Sequence, residues 1–480
     1  MLKITSFGLN SSAKVLSLPR RMLSAMLEEV RNAKSRRVDF RSVLPTAITA
    51  AALTLLVRII FISAVSYYPA ADDLKYDHLA FRLANENRYV NESGDAEQYI
   101  QFGYPFVLSL AYRIFEHNVL AGRMLNAMLD GTTSIVLVLL CYKFGLDSKQ
   151  ALVSSLLFAL HPSQIYYGSV LLPESLSATL VMLVVFALMS NKRFLVSLLV
   201  GTLLGGMFLT KYGTPFFLLL ALSILVVDVG TGRRLFVHLL MVLLGFVFAF
   251  APYGWMVRRA TGNLSDMQLP RGGIVFFLGT VEPWAPIHDG FQRSPGGERD
   301  GMTEQERSQL HLNASLNEII RHPVKQLFRR GLALCNLMNL DVSAYFSAFT
   351  AKYGSYDRSA ARLFVAEPRE FLWFLVPVVS SALFAVALLA GFFVKGFATI
   401  KWLIVSWSIP YILTWSEPRY MMAVSPLICI VVSHLNRDNF IALLVRSRVF
   451  AILALTLVMH WLYTIYFLYG RFSSKVSFLQ

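Results

Sequence analysis

Asp72, Asp73 and Asp77 place three carboxylates within six residues, in the stretch Asp72-Asp73-Leu74-Lys75-Tyr76-Asp77-His78. The stretch follows directly on the first long apolar segment. A carboxylate can take a proton from a hydroxyl or hold a cation, and charges beside hydrocarbon are kept where chemistry needs them. The plainer alternative is a solvated acidic loop after a membrane anchor. Other residues must decide between them. Glu174, in Leu171-Leu172-Pro173-Glu174-Ser175-Leu176, is a further candidate for contacting an acceptor or a divalent metal ion, as is His161 of His161-Pro162. Lys211, Arg258 and Arg419 supply the cations, and Lys and Arg bind phosphate and stabilise charge on a phosphate that leaves. Each also has a structural reading. Glu174 after a proline suits a helix start, a lone His is commonly a structural hydrogen-bonder, and Arg at a membrane interface reaches for headgroups.

The elements that must position these residues follow from composition. The chain has 480 residues, 56% hydrophobic and 15% charged, against about 25% charged in a soluble domain. An all-α polytopic membrane protein is therefore expected. The formal net charge is +15, but the basic residues sit in the N-terminal tail and short loops, where topology places them, and not on one polar face. No nucleic-acid partner is implied. Cys141, Cys335 and Cys429 lie far apart, which points to neither a disulfide framework nor a metal cluster.

Residues 1–43 form a basic tail, with nine Lys or Arg against three acids up to residue 44. The stretch from Ser17 to Ala33 has the pattern of an amphipathic helix on an anionic membrane surface. A first span runs from Leu44 to Tyr67, interrupted by Arg58. Residues 72–118 do not span. Their apolar positions give a short helix around 74–83 and an apolar piece, 102–115, too short to cross. Further spans are expected near 119–142, 149–168, 171–190, 194–210, 213–229, 235–257, 371–394, 398–415, 420–435 and 449–469, about 11 in all. The chain thus divides into the tail, an N-terminal membrane module (44–257) with its first outer loop at 68–118, a large outer segment (258–370) and C-terminal membrane helices (371–480). Interfacial helices are expected at 303–320, with a Thr303-x-x-Glu306 capping box, and at 324–340.

Positive charges thread this order through the membrane. Lys143, Lys149, Lys192, Arg193, Arg233, Arg234, Lys395, Lys401, Arg437, Arg446 and Arg448 fall on the side of the basic tail, which is the cytoplasmic side. Asp72, Asp73, Asp77, His161, Glu174, Lys211, Arg258 and Arg419 then gather at the opposite, periplasmic, extracellular or luminal face. A hydroxyl acceptor needs a base near the attacked carbon, and a phosphate leaving group needs cations or a metal. If that phosphate belongs to a long lipid, the site must lie at the membrane interface. Glycosyl transfer from a polyprenyl-phosphate sugar fits these demands. A transporter or flippase for a lipid-linked or anionic substrate is the alternative.

The order of short motifs resembles the family 39 type-C glycosyltransferases, a group that includes protein O-mannosyltransferases and bacterial aminoarabinose-lipid A transferases. The resemblance runs through Asp72-Asp73-Leu74-Lys75-Tyr76, Gly103-Tyr104-Pro105-Phe106, Gly122-Arg123-Met124-Leu125-Asn126-Ala127, His161-Pro162-Ser163, Leu172-Pro173-Glu174-Ser175-Leu176, Pro252-Tyr253-Gly254-Trp255-Met256-Val257-Arg258 and Glu417-Pro418-Arg419-Tyr420. It implies an inverting membrane transferase with a polyprenyl- or dolichyl-phosphate sugar donor and a hydroxyl acceptor on a glycan, lipid or protein. By the same resemblance Asp72 or Asp73 is the base, Glu174 a metal ligand, and Arg258 and Lys211 hold the donor phosphate. The family's second first-loop acid has no counterpart, because Gln101-Phe102 stands there and Glu97 lies further back. Asp77 and His78 are expected to be structural.

Overall fold

The computed structural model describes residues 24–69, 72–90, 97, 100–190, 194–211, 214–262, 276–277, 279–280, 302, 304–339, 368–393, 396–414, 416–435, 440–443 and 447–476. Its elements are helices. A helix α1 (24–35) precedes α2 (Phe40–Ala64), α3 (Asp72–Glu86), α4 (Gly103–Phe115), α5 (Val119–Lys143), α6 (Ser148–Leu160), α7 (Pro162–Tyr167), α8 (Glu174–Leu188), α9 (Phe194–Thr210), α10 (Thr214–Val229) and α11 (Arg233–Thr261). After these come α12 (Glu304–Arg321), α13 (Pro323–Leu337), α14 (Pro368–Phe393), α15 (Ala398–Leu413), a 3-10 segment (Pro418–Val424), α16 (Ser425–Ser433) and α17 (Arg448–Val476).

Among the described residues three helices are long and apolar enough to cross a membrane, and eight shorter apolar helices accompany them. This fits the expected all-α polytopic fold. The boundaries shift where proline intervenes. The span expected at 149–168 breaks into α6 and α7, because Pro162 drives His161 to extended backbone at φ −66°, ψ 116°. The span expected from 171 begins at Glu174, and the one expected at 420–435 opens with a 3-10 turn behind Pro418. Thr303, the start of the expected capping box, lies outside the described residues.

Two close helix approaches set the bundle. In α9, Gly201 and Gly205 are four residues apart and face α11. A Cβ on Gly201 would lie 2.0 Å from the Val242 carbonyl oxygen, and one on Gly205 would lie 2.7 Å from Ala249 Cβ. Small residues at this spacing let two backbones touch. Gly103, at the start of α4, meets the end of α9 in the same way, with the Leu209 carbonyl 2.8 Å from where a Cβ would stand. This seats the first-loop helices on the end of α9, beside Lys211.

The expected membrane-surface role of the N-terminal amphipathic stretch is not what α1 does. Its apolar face, Met26, Val30 and Ala33, is buried against the bundle, and residues 17–23 lie outside the described residues. Glu29 accepts the free N–H groups of Ala398 and Thr399 at 2.8 and 2.9 Å, capping α15. Lys34 pairs with Asp228 at the end of α10, and Lys143 Nζ donates to the Arg36 carbonyl at 2.9 Å. The apolar face therefore found a partner in its own chain, and α1 ties the ends of α5, α10 and α15 together. The starts of α5, α8 and α10 lie at the other end of the bundle.

A buried ion pair holds the middle. Arg58 Nε donates to Asp130 Oδ2 at 2.7 Å, with both side chains wholly buried, and Arg58 Nη1 donates to the Ala159 carbonyl at 2.8 Å. Gln164 adds a bond to Asp130 Oδ1 at 3.3 Å and accepts from Ser425 at 3.1 Å. Arg58, conspicuous in the sequence as a charge inside a span, is thus matched by Asp130 at the centre of α5.

Candidate functional site

The acidic stretch forms the first turn of α3. Tyr76, Leu79, Ala80 and Leu83 make its buried face, while Asp72 and Asp73 stand at its N-terminus, where the helix dipole favours negative charge. Asp77 is one turn further and buried. It accepts from Tyr112 of α4 at 2.5 Å and lies 3.0 Å from His117 Nε2, so it fastens α3 to the α4–α5 junction. His78 is exposed. The contacts of Asp77 fit the structural role expected of it, and none is described for His78.

Asp73 accepts the Tyr67 hydroxyl at 2.5 Å, and that hydroxyl oxygen in turn accepts the Leu171 N–H at 3.1 Å. Burial, and then the Asp73 carboxylate, push the Tyr67 hydroxyl far above the ordinary phenol range. Tyr67 is therefore a neutral donor. Below it, Arg123 lies over the Tyr67 ring at 5.1 Å and donates to the Ser169, Ile62 and Val65 carbonyls. Asn126 Nδ2 donates to Tyr104 and to the Val170 carbonyl. The Gly122–Ala127 motif thus folds the 168–173 turn under the acids.

Asp72 has a different partner. Arg419 Nη2 and Nη1 approach Asp72 Oδ2 at 3.3 and 3.4 Å, longer than the 2.7–2.9 Å of a tight charge-assisted bond. Arg419 Nε lies 2.6 Å from Glu417 Oε2, and the guanidinium sits over the neighbouring Tyr420 ring at 5.3 Å. On that ring the Lys211 ammonium also rests, at 5.1 Å. Lys211 then pairs with Glu174 Oε1 at 2.8 Å. Asp72, Arg419, Tyr420, Lys211 and Glu174 accordingly form one continuous series of contacts. The 3-10 segment packs on α8 to make it.

Glu174 opens α8 behind Pro173 and is 1% exposed. Its Oε2 takes no hydrogen bond among the described residues. Lys211 ends α9 and is 8% exposed. Arg258, on the last turn of α11, is exposed, and the contacts described for the cluster do not include it. His161 caps α7, with Nδ1 accepting from Gln164 N–H at 3.3 Å and its ring against Phe384, and no described contact joins it to Glu174. Glu97 accepts from the Ile100 N–H at 3.0 Å within its own loop. Tyr67, Glu417 and Tyr420 were not singled out individually in the sequence. Of these only Glu417 and Tyr420 lay inside a motif.

Among the described residues Glu174 Oε2 is a buried carboxylate oxygen without a hydrogen bond, the atom a divalent ion would meet first. Among the described residues no three His, Cys, Asp or Glu side chains converge to hold a metal. Glu174 Oε1 already faces the Lys211 ammonium, which leaves Oε2 as the oxygen of that carboxylate open to a further partner.

Residues 102–255 match the sequence profile of the dolichyl-phosphate-mannose-protein mannosyltransferase family. The matched stretch runs from the start of α4 into the last part of α11 and bears out the resemblance to the type-C membrane glycosyltransferases. Among solved structures the chain is similar to ArnT from Cupriavidus metallidurans bound to undecaprenyl phosphate. That similarity has 13% identity and a TM-score of 0.38, and covers 82% of this chain and 78% of that one. No curated protein matches the sequence.

Proposed function

We propose that the chain is a membrane glycosyltransferase that moves a sugar from a polyprenyl-phosphate donor to a hydroxyl acceptor. The observation that carries this reading is the series Asp72–Arg419–Tyr420–Lys211–Glu174, which sets a partly exposed carboxylate beside two cations at one end of an apolar bundle. The family match over residues 102–255 supports it. In this reading a first-loop aspartate takes the proton of the acceptor hydroxyl as its oxygen bonds to the sugar's anomeric carbon. The bond from that carbon to the phosphate oxygen breaks, and the polyprenyl phosphate leaves against Arg419 and Lys211. A single displacement of this kind inverts the anomeric centre.

The cluster sets four carboxylates, those of Asp72, Asp73, Glu174 and Glu417, against the cations Lys211 and Arg419. A lipid phosphate entering it calls for another positive group, and Arg258 at the end of α11 is the one we assign. The α1 end is rich in Lys and Arg, which supports a cytoplasmic N-terminus and a site on the periplasmic, extracellular or luminal side. A transporter would need an open polar pathway near the centre of the bundle. The Arg58–Asp130 pair there is wholly buried and supports no such path.

Purified protein offered a panel of polyprenyl-phosphate sugars, with release of the lipid phosphate as readout, tests the reading. Turnover of at least one donor is expected. No turnover with any donor and acceptor, from protein that remains folded, would overturn it.

A further inference from the structure

We propose that Tyr67 is a positioning residue that divides the work between the two aspartates, pinning Asp73 and leaving Asp72 to meet the acceptor. The inference rests on the transferase reading given above. Its geometry starts at the Tyr67 oxygen. The Leu171 N–H, 3.1 Å away, occupies a lone pair of that oxygen, so the hydroxyl proton is directed to Asp73. The Asp73 oxygen that accepts this hydrogen bond, Oδ2, is not placed to take a proton from a substrate. Among the described residues the other aspartate is held by Arg419 alone, at 3.3–3.4 Å through Oδ2. No partner of Asp72 Oδ1 is described.

The pin does a second thing. Leu171 is three residues before Glu174, so Tyr67 bridges the N-terminus of α3 to the turn that starts α8. Arg123 steadies this bridge from below. It covers the Tyr67 ring and takes up the Ile62 and Val65 carbonyls at the end of α2 and the Ser169 carbonyl of the turn. Two halves of the site, 104 residues apart in sequence at Tyr67 and Leu171, are thereby fixed through one phenol. A misplacement of about 1 Å in such a site can lower turnover by about 100-fold.

The test uses Tyr67→Phe, Asp73→Asn and their double variant in the full chain, beside Asp72→Asn. Asn at position 73 keeps an oxygen that can accept from Tyr67. Turnover is expected to fall about 10- to 100-fold in Tyr67→Phe with donor KM unchanged, by no more than about 10-fold in Asp73→Asn, and in the double variant no further than in Tyr67→Phe alone. Asp73→Asn as damaging as Asp72→Asn would make Asp73 the base and overturn the proposal. A second readout needs no turnover. Carbodiimide labelling mapped by mass spectrometry is expected to modify Asp72 in the wild type and Asp73 only once Tyr67 is Phe. Equal labelling of Asp73 with and without the Tyr67 hydroxyl would sink the pin by itself. Absence of transfer from every donor would instead strike the transferase reading, with the labelling still deciding the role of Tyr67.

Discussion

Lys211 Nζ stands 2.8 Å from Glu174 Oε1, and the two side chains are 10% and 1% exposed. A charge pair withdrawn from water in this way is held by mutual attraction, and removing one member strands the other. Glu174→Ala should therefore destabilise the protein by about 3–5 kcal/mol. The joint replacement Glu174→Leu with Lys211→Met should restore most of the loss. Thermal unfolding of both proteins in detergent checks this, and a double variant no more stable than Glu174→Ala would contradict it.

Arg419 is wedged between Asp72 and Glu417, and its flat guanidinium lies on Tyr420. A lysine offers a point charge and cannot serve two carboxylates and an aromatic face together. Both Arg419→Ala and Arg419→Lys should raise the KM for the lipid donor, by about 10-fold or more for a lost charge-assisted bond. Arg258→Ala, which removes an exposed cation at the rim, should raise it less. Donor titrations compare the three, and an unchanged KM in Arg419→Ala would remove that residue from the phosphate site.

The α9–α11 contact gives a sharp pair of glycines. A methyl group on Gly201 would meet the Val242 carbonyl oxygen at 2.0 Å, whereas one on Gly206 would meet only Leu180 side-chain carbons at 3.7–3.8 Å. Gly201→Ala should cost on the order of 1–3 kcal/mol by forcing the helices apart. Gly206→Ala should be neutral or stabilise by up to about 1 kcal/mol, since alanine is the better helix former. Melting temperatures separate the two, and equal values would show that α9 does not touch α11 so closely.

Much of this architecture was legible in the sequence because apolar runs report spans directly. Phe194–Thr210 emerged with the expected limits, and Val119–Lys143 and Thr214–Val229 within one residue. Charge bias placed Asp72, Glu174, Lys211 and Arg419 at one end, and the structure joins these four through Tyr420. Partner choice was not legible. Nothing in the spacing of Tyr67 says that it reaches both Asp73 and Leu171, since that depends on how α2 ends and where the turn before α8 passes. Arg258 shows the converse: a motif position can be recognised while its side chain is exposed and outside the contacts described for the cluster. Two signals were present but unread, the acid Asp130 centred in an apolar run opposite Arg58 and the Gly201–Gly205 spacing.

The most direct measurement is the turnover of Asp72→Asn with a polyprenyl-phosphate sugar donor that the wild type uses, followed as lipid phosphate release. Loss of a general base should lower it by about 10²–10⁴-fold, with folding and donor KM little changed. Turnover within about 3-fold of the wild type, well short of that loss, would contradict the assignment of Asp72 and the site built around it.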